Sequence, residues 1–237
     1  MKKWFLNNYK NYICLVVAII FLAFASVFFN NSHFGSDSIF ALNQGVSKLI
    51  KVSVGTTNII IGVIAFIILL IIDKKAIGVG SVLMALTMGM FINLIMKIGI
   101  VPDLASTGLP TILDITLKLL YIFIAIALGG FGIALYIYAN RGISPIEGII
   151  IKIQKVTKMP FWLVKIINDV LFYLVGFILG ATINVGSVFA AFLYGPVISL
   201  FTKMLNKIDL LGEVKNVEQN KKKEHKNSKR NKSKKNK

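Results

Sequence analysis

The chain has 237 residues, 56% hydrophobic and 16% charged, with a mean hydropathy of +0.75, a balance too apolar for a water-soluble single domain. The formal charge of +17 is segregated, because residues 212–237 alone hold 11 basic and 3 acidic side chains. One cysteine, Cys14, and two histidines leave no internal disulfide and no ligand cluster for zinc or iron–sulfur chemistry, so no metal and no cofactor is expected.

Length is therefore best counted in bilayer crossings of about 20 residues each. After a cytoplasmic N-terminus (1–12), residues 11–36 run without Asp, Glu, Lys or Arg. Lys2, Lys3 and Lys10 ahead of an Ala23-Phe24-Ala25 pattern imitate a secretory signal, but the apolar run continues through Phe28 and Phe29. A retained helix is expected. Residues 36–50 follow, with Ile39, Leu42, Val46 and Leu49 at helical spacing, Asn43 and Lys48 on or near other faces, and a Gly35-Ser36-Asp37 start signal. That pattern predicts a short amphipathic helix.

A second span covers 52–72, with Thr56, Thr57 and Asn58 at its head, and a third covers 76–96 with Asn93 inside it. Asp73, Lys74 and Lys75 between them predict a tight charged hairpin. Past a connecting loop (99–118) comes a fourth span at 119–140, then a second short amphipathic stretch at 143–156. Its apolar face is Ile146, Ile149, Ile153 and Val156, its polar side Glu147, Lys152 and Lys155, and its start signal Gly142-Ile143-Ser144-Pro145. A fifth span over 161–180 accepts Lys165 and Asp169, and the turn-like GATINVG divides it from a sixth at 185–203. Gly195-Pro196 predicts a kink in the sixth span. The stretch KKKEHKNSKRNKSKK has no apolar side chain with which to build a core, and residues 207–237 predict a disordered polybasic cytoplasmic tail. Its lysines suit anionic lipid headgroups better than nucleic acid, since no aromatic residues interleave them for base stacking.

The order repeats. Val79-Gly80-Ser81-Val82 recurs as Val185-Gly186-Ser187-Val188, and seven of fourteen positions agree in that register. Gly35 precedes Gly80 by 45 residues and Gly142 precedes Gly186 by 44. Two membrane repeats, 13–98 and 119–206, thus share one plan: long helix, Gly-led short helix, then two long helices. If the short helices do not cross, each half crosses three times and the halves are inverted; if they cross, the halves are parallel. Lysine placement alone does not decide between six and eight crossings. The cost of Lys48, Lys152 and Lys155 near a bilayer centre favours six spans with two re-entrant or interfacial short helices. The expected fold is thus an all-α polytopic membrane bundle with both termini cytoplasmic.

Candidate site residues are polar groups placed where lipid would penalise them. Asp169 sits mid-span with Lys165 at i,i+4 and Asn168 beside it, which points to a cation or proton site, or to a structural ion pair. Ser36, Asp37, Asn43, Ser144 and Glu147 mark the two short helices, where capping and solute contact compete as explanations. Asn58 could line the same cavity or bond between helices. The glycines, among them Gly80, Gly89, Gly129, Gly130, Gly132, Gly176, Gly180, Gly186 and Gly195, are expected to let helices approach closely.

The stretches GSDSIFALNQGVSKLIKVSVGTTN, GGFGIALYIYANRGISPIEGII and NDVLFYLVGFILGATINVGSVFAAFLYGPVISLF resemble the YczE/YyaS/YitT family of bacterial integral membrane proteins, over residues 13–205. YitT-type members carry a soluble C-terminal domain not seen in this sequence, so the likeness is nearer the YczE-like branch. The resemblance implies a multi-pass protein of a bacterial cell membrane and carries over no reaction or catalytic residue. Two functions remain open: a transporter or permease for a small solute or ion with a midplane site, and a non-transporting scaffold or accessory protein. An enzyme is not expected, since no nucleophile–base pair or metal triad stands out.

Overall fold

A computed structural model describes residues 2–105, 108–142, 144–159 and 161–208. The polybasic tail expected from residue 207 onward falls almost wholly outside them. Eight α-helices fill the described residues: α1 (Lys2–Ser32), α2 (Ser38–Ile50), α3 (Val54–Ile72), α4 (Val79–Ile98), α5 (Thr111–Ala139), α6 (Pro145–Thr157), α7 (Phe161–Ile178) and α8 (Val185–Ile208). No strand occurs among the described residues. α1, α3, α4, α5 and α8 are long and apolar enough to cross a membrane, so the molecule is a helical membrane bundle.

Three boundaries differ from expectation for local reasons. α1 ends at Ser32, where His33 adopts φ 51°. It also begins at Lys2, ahead of the expected span. α5 starts inside the expected connecting loop, where Asp114 and Lys118 pair at 2.8 Å one turn apart and carry the helix outward. The hairpin between α3 and α4 is a single 3₁₀ turn, Lys74–Ala76.

Helix directions follow from paired contacts. Asn11 Nδ2 donates to Ala139 O at 3.1 Å, Phe21 packs edge-on against Phe131, and Phe28 against Tyr121. As the α1 number rises the α5 number falls, so these two central helices are antiparallel. α4 runs with α1: Cys14 and Leu15 share a cluster with Leu83 and Met84, and Ala23 and Val27 one with Ile92 and Ile95. α8 runs with α5, through Phe123 against Phe189 and Phe131 against Phe201. Gly55 faces Gly89 and Gly62 faces Ala85, so α3 and α4 form an antiparallel hairpin whose backbones nearly touch.

The short helices pack across the halves. α2 lies along α7, with Ser38 Oγ donating to Asp169 Oδ1 at 2.6 Å, Gly45 against Gly176, and Lys48 Nζ on the Gly180 carbonyl. α2 therefore starts level with the middle of α7 and ends with it. α6 lies along α3 in the same way, with Gly148 against Leu69 and Lys152 3.8 Å from Asp73. Each is 13 residues long, about 20 Å, well short of a hydrocarbon core of about 30 Å.

Candidate functional site

The chain turns back before each short helix on a glycine at positive φ, 117° at Gly35 and 126° at Gly142, a conformation that L side chains resist. Each turn then docks on the Val-Gly-Ser-Val motif of the opposite half. Gly186 N donates to Phe34 O at 3.0 Å, and Gly80 N to Arg141 O at 2.7 Å. A Cβ on Gly142 would stand 2.8 Å from Gly78 Cα, and one on Gly35 2.5 Å from Ser187 N. Both short helices also finish alike, on Lys51 at φ 54° and Lys158 at φ 58°.

These turns set the starts of α2 and α6 inside the bundle. Asp37 caps α2, its Oδ1 accepting from Phe40 N at 2.9 Å. Ser36 does not cap: its amide donates to Ser187 Oγ at 3.1 Å and its hydroxyl to Asp37 O at 3.2 Å. Ser144 holds the cap position of α6 and makes no side-chain cap bond, Pro145 leads the helix, and Glu147 stands in its first turn. Lys165 Nζ pairs with Asp169 Oδ1 at 2.8 Å. Asp169, Glu147 and Asp37 are all charged neighbours of that ammonium. Carboxylates from three elements thus act electrostatically on one lysine, with Asp169 alone in direct contact.

The other expected residues are placed unevenly. Asn168 Nδ2 is buried without a hydrogen-bond partner, so it does not support the Lys165–Asp169 pair as a bonded neighbour. Asn43 is 1% exposed with Oδ1 unpartnered. Asn58 is partly buried near the head of α3, and its side chain makes no hydrogen bond among the described residues. Asn93 Nδ2 instead reaches Thr56 Oγ1 at 3.3 Å, joining α4 to α3. Gly195 has open space around its Cα and Gly180 ends α7 at φ 88°, so neither serves the close helix packing expected of it. α8 continues through Pro196.

Hydroxyls complete the site. Tyr173 Oη donates toward Ser36 O at 3.0 Å and Ser187 O at 3.3 Å, closing the Gly35 side. On the Gly142 side a cavity of about 610 Å³ lies against the 3₁₀ turn, lined by Tyr136, Ser144 and Glu147 and by apolar side chains of α1, α4, α5 and α6. Tyr136 Oη and Glu147 Oε2 are buried without hydrogen-bond partners. A tyrosine in the last turn of an apolar span reads in sequence as one more core aromatic; the missed signal is that its hydroxyl, buried inside the bundle, needs a partner. No group of three His, Cys, Asp or Glu that could hold a metal ion occurs among the described residues.

A family model matches residues 9–203, nearly the whole described bundle. The chain belongs to the DUF6198 family, described as a family of unknown function. The match is to DUF6198 and does not bear the name of the YczE/YyaS/YitT family expected from the sequence. An uncharacterized protein of Haemophilus influenzae is 24% identical over 201 residues, covering 85% of this chain and 87% of its own. No solved structure matches.

Proposed function

We propose that this protein carries a small solute or ion across a bacterial cell membrane through a site at mid-depth between two inverted halves. One observation bears most of the weight: Asp37 at the start of α2 and Glu147 in the first turn of α6 both neighbour the Lys165–Asp169 pair. From there the two short helices run outward along α7 and α3. Helix starts carry partial positive charge and unpaired amides, so two of them beside titratable groups at mid-depth form a place where a polar solute can shed its water.

The antiparallel packing of α1 on α5 supports three crossings per half. Those two helices hold the same place in the repeat, and opposite directions require an odd number of crossings per repeat, with an even number, α3 and α4, lying between them. α2 and α6 then enter and return without emerging, and α7, 18 residues or about 27 Å, is the sixth span. Lysine placement, indecisive from sequence, follows: Lys48, Lys51, Lys97 and Lys118 fall toward one face, and Lys10, Lys74, Lys75, Arg141, Lys152, Lys155, Lys158, Lys203 and Lys207 toward the other. The positive-inside rule makes the second face cytoplasmic, with both termini on it. The basic tail then meets anionic headgroups. No catalytic step is proposed.

The test is flux in liposomes. Purified protein should move at least one radiolabelled solute from a panel of amines, amino acids and monovalent cations, and Asp169→Asn should abolish that movement. A panel without flux, together with a stable protein partner in pull-downs, would favour the scaffold reading.

A further inference from the structure

The cavity beside the 3₁₀ turn carries more chemistry than the ion pair needs. At about 610 Å³ it falls in the range of sites for small organic molecules, whereas a bare cation asks for a close cage of oxygens. Leu22, Met84, Ile133 and Ile151 make most of its wall apolar. Tyr136 in that wall is 5% exposed and its hydroxyl has no partner, although an unbonded buried hydroxyl is costly. Glu147 Oε2 is likewise buried and unbonded, and the two side chains are electrostatic neighbours. The Ser144 hydroxyl lines the same space and makes no cap bond to α6.

We infer that this cavity binds a small primary amine with an apolar body, its ammonium held by Glu147, Tyr136 and Ser144. An alkylammonium has three N–H donors and no acceptor. A carboxylate oxygen and two hydroxyl oxygens are available to accept them, and the apolar wall takes the body at about 25 cal/mol per Å² buried. Charge argues the same way. Lys165 faces Asp37, Glu147 and Asp169, so one further positive charge relieves an excess of carboxylates in a low-dielectric interior. Lys75 borders the cavity but is itself exposed, where water and salt screen its ammonium. Passage of the amine across the bilayer rests on the transporter reading; its binding does not.

Equilibrium binding of radiolabelled benzylammonium to the purified full chain in detergent micelles tests this, with benzyl alcohol and phenylacetate as neutral and anionic competitors of similar size. Saturable binding that neither competitor displaces is expected. Glu147→Gln should weaken it at least about tenfold and Tyr136→Phe about fivefold. Met84→Trp should block it by filling the wall, which keeps a result in hand if Glu147→Gln does not fold. Displacement by benzyl alcohol or phenylacetate at equal concentration, or unchanged affinity in Glu147→Gln or Met84→Trp, would overturn the inference. Binding without benzylammonium flux in liposomes would uphold the site while counting against transport; flux without saturable binding would do the reverse.

Discussion

Lys165 matters more than the carboxylate it touches. Removing its ammonium leaves Asp37, Glu147 and Asp169 without the positive charge they share, whereas removing Asp169 leaves Lys165 with two acidic neighbours. The paired side chains keep 32% and 29% exposure, so the loss should fall below that of a fully buried pair, at about 2 kcal/mol for Lys165→Met. Thermal unfolding in detergent should rank Lys165→Met below Asp169→Leu. The Lys165→Met/Asp169→Leu double variant should be less damaged than the lysine single. Equal effects of the two singles would mean that Asp37 and Glu147 do not share the lysine. The pair itself was legible in the sequence, because i,i+4 neighbours on a helix meet whatever surrounds them. Its partners were not, since Asp37 and Glu147 arrive from distant parts of the chain.

Among the elements, α2 and α6 were readable as short and amphipathic, and the structure reports them within two residues of the expected bounds, Ser38–Ile50 and Pro145–Thr157. Their caps were read less well. Asp37 caps as a helix start should, but Ser36 is drawn off by Ser187, and Ser144 is left to the cavity side. A start signal in sequence names the residues able to cap and cannot see a distant hydroxyl competing for them. Whether these elements cross is testable by single cysteines in a Cys14→Ala background. An impermeant maleimide should label position 51 in intact cells and position 74 only in inverted vesicles. Labelling of 74 from outside would require α2 to be a full crossing.

For the whole molecule the governing feature is exchange between halves: α2 rests on α7, α6 on α3, and each glycine turn on the other half's Val-Gly-Ser-Val motif. Neither half is then complete alone. Residues 1–106 and 107–237 expressed together should co-purify and resist protease, whereas 1–106 alone should be cut readily within 33–53, where α2 has lost α7. Equal resistance of the isolated first half would contradict the exchange.

Composition, hydropathy and glycine spacing were enough to determine a lipid-embedded helical chain, its long and short helices and its ion pair at Lys165 and Asp169. Those properties depend on neighbours a few residues apart, or on the length of chain that matches a bilayer. Only the tertiary structure decided that α1 and α5 oppose one another, that the short helices exchange partners, and that Tyr136 and Glu147 share a cavity. Apolar helix faces fit many partners almost equally well, so local pattern cannot select among them. Selection comes from backbone contact at glycines and from buried polar atoms that must find each other across the bundle.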